Sequence, residues 1–346
     1  MNTPRIAILG SGAQGAGVGA DMVRAGLDVT FIEQWPAHVE AMRRNGIEVR
    51  MPEQTVTTEV EVMHLCEVAT LRESFDMVFL VMKAYDSRWA TQLIAPYLTP
   101  GGVVVGLQNG MSVDDIASVV GPERTIGAVI EMASNMFEPG IITRQNSPAT
   151  AWFAVGGLDD ASAEHAADVQ AVLSSAGTVE VSDDIRSSKW MKLIANAGEL
   201  VPSAILDLPL NSAAEIPEVR EFMISCGRET ARATVASGSR LVPVFGLRDD
   251  EVTEPDRYAE ELLEQVLTRF SFHDTLTTVL QDWRKGRHAE YAEVNGHVVD
   301  VLAAHGQDAP ANRRTVELAR RIERGELEPG IQNLGLMVAE ASSSAR

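Results

Sequence analysis

Short, fully apolar runs recur through the first half of the chain, separated by stretches of helical spacing. Ile6–Leu9, Val29–Ile32, Met77–Val81 and Val103–Leu107 are each too short for a helix and bounded by turn residues. Strands buried on both faces of a parallel sheet have this pattern. A Gly-rich turn after the first run leads into a helix reaching about Ala25, and His38–Asn45 is a second helical stretch. Short strands continue from Thr125 to Val155 with breaks at Pro139-Gly140 and Gly156-Gly157. Ala161–Ala176 has helical period, and Thr178–Val181 is a last strand. From Ile185 onward strand alternation stops, and the helix formers Ala, Leu, Glu and Arg dominate. These shifts predict domains at 1–184 and 185–346. Val242–Pro255, with Gly246, two prolines and the acidic run Asp249-Asp250-Glu251, reads as a surface excursion between helices. The Ser-rich Ala341–Arg346 reads as a frayed tail.

Composition narrows the function. The 346 residues suit about two domains, and 29 basic against 49 acidic side chains give a formal charge of −20. A chain this acidic lacks the basic stripe that a phosphate backbone requires and is repelled by anionic membrane surfaces, which argues against nucleic-acid and membrane partners. No apolar run approaches the roughly 18 residues of a membrane span, and the N-terminus does not read as a signal peptide. A cytoplasmic protein is expected. Cys66 and Cys226 lack metal-site or redox spacing, so reduced, buried thiols and no metal are expected.

Gly10-Ser11-Gly12-Ala13-Gln14-Gly15 follows the first strand and opens a helix. In Gly-x-Gly-x-x-Gly the first glycine makes the tight turn, the second admits a pyrophosphate to the backbone, and the third lets helix and strand pack closely. The helix N-terminus supplies free N–H groups to the anion. An acid near the end of the second strand should receive the ribose hydroxyls, and Glu33 stands at about the expected spacing of ~20 residues. A carboxylate there favours NAD and repels the 2′-phosphate of NADP, although Arg43 or Arg44 could fold back to serve NADP as the second candidate. The fold class is therefore α/β, an N-terminal Rossmann-type doubly wound sheet followed by an all-helical C-terminal domain.

Carbonyl reduction needs a proton donor and groups that orient the substrate. Lys192 and Asn196 are four apart on a helix opening the second domain and share a face. Lys189 lies nearby, and periodicity alone does not choose between the lysines. His288, in the polar stretch Gln281–Gly296, ranks below Lys192 as a general acid.

Gly10-x-Gly12-x-x-Gly15, Lys83-Ala84, Leu107-Gln108-Asn109-Gly110, Trp190-x-Lys192-x-x-x-Asn196 and Gln281-Asp282-x-x-x-Gly286-Arg287-x-x-Glu290-x-x-x-x-Asn295-Gly296 occur in this order. Across nearly the whole chain the sequence resembles the ketopantoate reductases, 2-dehydropantoate 2-reductases with a Rossmann domain and a helical domain. The resemblance implies Lys192 as general acid and Glu290 as the acid organising it and the substrate. It implies Asn109 and Asn196 as contacts to substrate or nicotinamide, and Lys83 as a lysine on the cofactor side. Thr278 stands where the family usually has a serine for the substrate carboxylate.

The chain departs from the family pattern at three residues and in the Val242–Pro255 excursion, which resembles an extension relative to a compact member. Leu200 replaces an asparagine expected four residues after Asn196, Asp86 replaces a glutamine, and Gln34 replaces a basic residue that reads NADP. The reading is an NAD(P)-dependent oxidoreductase converting a 2-oxo acid, with ketopantoate as default, to the 2-hydroxy acid. Its alternative is an NAD-dependent dehydrogenase of another branched or aromatic hydroxy acid, and a remoter one is a non-catalytic dinucleotide-sensing protein. Pairing into a homodimer is expected.

Overall fold

The computed structural model describes residues 3–339, so the Ala341–Arg346 tail lies outside the described residues. Two compact units are present, Met1–Lys189 and Trp190–Arg346. The division falls inside a helix that begins at Ile185 and ends at Ile205.

The first unit carries β1 (Arg5–Leu9), β2 (Asp28–Glu33), β3 (Ile47–Arg50), β4 (Thr55–Thr58), β5 (Glu61–His64) and β6 (Phe75–Leu80). It continues with β7 (Leu98–Gly106), β8 (Thr125–Glu131), β9 (Ser134–Glu138), β10 (Ile141–Arg144), β11 (Trp152–Gly157) and β12 (Thr178–Val181). Eight of these form one sheet in the order β12-β11-β8-β7-β6-β1-β2-β5, parallel except where β11 meets β8. The run β5-β2-β1-β6-β7-β8 is the doubly wound arrangement expected from the sequence. Its chain path reverses beside β1, and ligands in such sheets bind at the carboxyl ends of the strands at that reversal.

Both faces of the sheet are covered, which explains the unbroken apolar runs. Ile6 and Ile8 of β1 belong to one buried cluster, and Ala7 and Leu9 to another. Successive side chains point to opposite faces, so each strand feeds both cores, and each buried Ile or Leu contributes about 1.5–3 kcal/mol.

Three expectations need correcting. The apolar run Met77–Val81 falls largely on β6, Phe75–Leu80, and the strands β3, β4 and β5 that precede it were not expected. Each of those strands is four residues long and broken by charged or polar residues, so none has the apolar run of a central strand. β3 and β4 join β10 and β9 in a separate four-stranded sheet of order β4-β3-β10-β9. The single helix expected over Ala161–Ala176 is two, Asp160–Ala163 and Ala166–Leu173, because the His165 N–H bonds Ser162 O only three residues back. Cys226 is buried as expected, but Cys66 is exposed on a 3₁₀ turn, Leu65–Thr70.

Among its described residues the second unit has no strand. Its helices include Pro217–Ala236, Pro255–Gln265, Thr278–Arg284, His297–Ala304 and Pro310–Glu323, with π-helical turns at Val266–Phe270 and Ala292–Gly296. Pro217, Pro255 and Pro310 each open a helix, where a missing N–H costs no hydrogen bond. The buried Glu229 carboxylate accepts the Ala311 and Asn312 N–H groups, both at 2.9 Å, which caps the last of these helices with negative charge. No helix among the described residues is long and apolar enough to cross a membrane.

Candidate active site

The glycine turn sits at the carboxyl end of β1. Gly10 has φ +95°, and a Cβ there would meet Met82 Cγ at 2.6 Å and Met82 N at 2.9 Å, in the segment that follows β6. A Cβ at Gly15 would lie 2.1 Å from the Gly10 carbonyl oxygen, so only glycine lets the helix Ala13–Arg24 start this close to β1. Gly12 differs, because a Cβ there meets no protein atom within 4 Å. Gly12 is also the N-cap and offers no side chain to the first N–H groups of the helix. An open cradle over uncapped amides suits an anionic pyrophosphate. Ser11 Oγ and Gln14 Oε1 add two buried oxygens with no hydrogen-bond partner.

Hydrogen bonds to residues beyond the turn hold it. Glu33, at the end of β2 and 7 % exposed, accepts the Ser11 N–H at 2.7 Å and the Trp35 N–H at 2.8 Å. A carboxylate has about four acceptor positions, so two remain for hydroxyl donors. Gln14 donates from Nε2 to the Met132 carbonyl at 2.7 Å. His38, in the helical stretch His38–Asn45, is fully buried. Its Nδ1 accepts the Gly140 N–H at 2.9 Å, which leaves Nε2 protonated to donate to the Ser11 carbonyl at 2.8 Å. Nothing in its spacing signals this role. Arg43 is held by Glu40 at 3.1 Å and Glu67 at 2.5 Å.

Lys83 and Asn109, both half-buried, follow β6 and β7. The Val81 N–H bonds Leu9 O at 2.8 Å, and the Leu107 N–H bonds Leu80 O at 3.1 Å. The fold thus brings Gly10–Gly15, Glu33, Lys83 and Asn109 to the carboxyl ends of the adjacent strands β2, β1, β6 and β7. Lys189 is buried and donates to two carbonyl oxygens, Gln108 at 2.9 Å and Ala128 at 3.1 Å, so its amine is committed to packing.

The remaining candidates lie in the second unit. Lys192 is half-buried, and Asn196, one helical turn on, is 1 % exposed. Two other segments dock on the next turn of this helix. Thr277 Oγ1 donates to Leu200 O at 2.9 Å, and Asn295 Nδ2 donates to Ala197 O at 2.9 Å. The first contact places Thr278, whose Oγ1 is buried with no hydrogen-bond partner. The second lies in the π-helical turn that follows the buried Glu290. Phe245 was not anticipated. Val244 and Phe245 are 1 % and 2 % exposed, so this part of the Val242–Pro255 segment is not a surface excursion, and Lys192 Nζ lies 5.5 Å from the Phe245 ring centroid. His288 instead bonds Glu323 at 2.5 Å with half its side chain exposed.

A doubly wound sheet with this glycine turn at its chain reversal defines a dinucleotide-binding α/β protein. The chain belongs to the ketopantoate reductase PanE/ApbA family, whose N-terminal model matches residues 6–156 and whose C-terminal model matches residues 184–323. A 2-dehydropantoate 2-reductase of Archaeoglobus fulgidus is 27 % identical over 329 residues, covering 94 % of this chain and all of that protein. Another from Pyrococcus horikoshii is 25 % identical, covering 89 % and 94 %. Among solved structures, a PanE/ApbA family ketopantoate reductase from Ralstonia eutropha JMP134 superposes with TM-score 0.75 at 26 % identity, covering 93 % and 99 %. A D-mandelate dehydrogenase with NADH and anilino(oxo)acetate shares the fold at TM-score 0.82 and 20 % identity, with the same coverage. The chain is an NAD(P)-dependent oxidoreductase.

Proposed function

We propose that this protein reduces a 2-oxo acid, with 2-dehydropantoate (ketopantoate) as the first substrate to test, to the corresponding 2-hydroxy acid, and that it prefers NAD to NADP. The observation that carries the reading is the grouping on one helix. Lys192 and Asn196 lie one turn apart, and the segments bearing Thr278 and Glu290 dock on the turn that follows.

Gly10, Ser11, Gly12, Ala13, Gln14 and Gly15 would hold the pyrophosphate, Glu33 the adenosine ribose, and Lys83 and Asn109 the nicotinamide half. Bound there, the reduced dinucleotide supplies hydride. Lys192 gives a proton to the carbonyl oxygen as negative charge develops on it, and Glu290 orients that ammonium. Asn196 donates an amide hydrogen to the substrate. The Thr278 hydroxyl, which has no protein partner, donates to the substrate carboxylate. Preference for NAD rests on Glu33, whose carboxylate repels a 2′-phosphate, and on Arg43, which two carboxylates already hold. In this reading residues 1–184 bind the dinucleotide, and residues 185–346 bind the substrate and pair two copies into a homodimer. The protein works in the cytoplasm without a nucleic-acid or membrane partner.

The test is nicotinamide absorbance against time with ketopantoate, using NADH and NADPH in parallel. NADH consumed faster than NADPH is the expected result. Consumption only with other 2-oxo acids would replace the substrate, and binding without turnover would make the protein a dinucleotide sensor.

A further inference from the structure

Phe245 and Gly246 occupy the two central positions of a turn closed by the Leu247 N–H on Val244 O at 3.0 Å. Their φ values are +59° and +76°. Two successive positive φ angles define the mirror-image type I turn, which takes Asn-Gly, Asp-Gly or Gly-Gly because a side chain crowds the neighbouring carbonyl in this region. A bulky aromatic residue at its first position is a backbone outlier, held there by its surroundings. The turn itself has no use for an aromatic ring.

The surroundings account for it. The Phe245 ring lies 5.7 Å from the ring of Phe270, tilted by 56°, and Phe270 ends the π-helical turn Val266–Phe270. Such wide turns are rare and gather at functional sites. The base of the segment is tied down by the Tyr258 hydroxyl, which donates to Val242 O at 2.8 Å. Lys192 Nζ stands 5.5 Å from the ring centroid, within the ~6 Å over which an aromatic face attracts an ammonium. A strained turn thus sets one ring of a buried aromatic pair against this amine, and the other ring ends a wide helical turn.

We propose that Phe245 is a positioning residue for Lys192, its ring holding the ammonium where it delivers a proton. The proposal rests on the reading of Lys192 as the proton donor. A group that only aims the donor acts as charge develops on the carbonyl oxygen, so its loss lowers kcat and leaves substrate and dinucleotide binding nearly unchanged.

The experiment compares Phe245→Leu, Phe245→Tyr, Phe245→Asn and Lys192→Ala in steady-state kinetics with NADH and the 2-oxo acid the parent enzyme reduces, alongside thermal melting. Phe245→Met replaces the Leu variant if the latter does not fold, since it fills similar volume without a π face. Expected is a fall in kcat of about tenfold or more for Leu or Met with both KM values within about twofold, and rescue by Tyr, since a small misplacement of a reacting group is costly. Asn suits the turn and relieves its backbone, yet it should lose kcat as Leu does. A purely structural role would make activity follow melting temperature. Parent-like kcat in the folded Leu or Met variant, with Lys192→Ala inactive, overturns the proposal. Parent-like kcat in Lys192→Ala overturns the assignment of the donor on which it rests.

Discussion

Lys189 donates from Nζ to the carbonyl oxygen of Gln108 at 2.9 Å, joining residues 81 apart in sequence. Its other acceptor, Ala128 O, is also a neutral carbonyl. Burial lowers the lysine from 10.5 to about 8. Between those values the unfolded chain holds the proton and the folded chain releases it, so stability rises with pH across this window. The whole difference corresponds to about 3 kcal/mol. Urea titrations at about pH 7.5 and about pH 10 should show the parent gaining about 2 kcal/mol relative to Lys189→Met. An equal gap at both values would show that the amine is not buried as described.

Two glycines of one turn should respond differently to the same methyl group. Gly15→Ala drives a Cβ to 2.1 Å from Gly10 O and should destabilise the protein by about 1–3 kcal/mol, read as a lower melting temperature. At Gly12, φ is −63° and the space is open, so Gly12→Ala should melt like the parent. It should nevertheless bind dinucleotide at least about tenfold more weakly, because the methyl occupies the path of the pyrophosphate. Parent-like affinity would place the phosphates elsewhere.

Glu33→Gln puts an amide where two backbone N–H groups converge, and one of them loses its acceptor. NADH should bind about tenfold more weakly, and the preference for NADH over NADPH should narrow as the negative charge disappears. Fluorescence titration with both dinucleotides measures this. An unchanged ratio would remove Glu33 from cofactor choice.

Lys192→Ala should lower kcat by about 10²- to 10⁴-fold, the usual worth of a positioned general acid, with dinucleotide binding retained. Stopped-flow turnover and equilibrium titration separate the two effects. A change confined to affinity would make Lys192 a binding group.

The glycine turn was legible because its requirements are local. A positive φ at Gly10 and the contact of Gly15 with Gly10 O follow from residues within one strand and one turn. The environment of Lys189 was not legible from periodicity, since its amine meets Gln108 and Ala128, more than 60 residues away. Family resemblance points to Lys192, while Lys189 is held by two buried carbonyl oxygens. His38 and Phe245 escaped for the same cause. The histidine reaches the Gly140 N–H, 102 residues on, and the phenylalanine meets Lys192 from a segment without periodicity. β4 went unseen because Thr55–Thr58 carries a single apolar residue, Val56, too little for a strand pattern without its pairing with β3.

The small sheet β4-β3-β10-β9 is assembled from two stretches of chain, 47–58 and 134–144, with β3 and β10 pairing directly. During synthesis the earlier stretch emerges long before the later one. Until it does, β3 has a free edge, an unpaired row of amides and carbonyls that invites another chain. A chain ending before β9 therefore holds neither the β10 partner of β3 nor the Gly140 N–H that His38 accepts in the complete fold. The loop that must close to couple the two stretches spans about 90 residues, the kind of non-local pairing that slows folding.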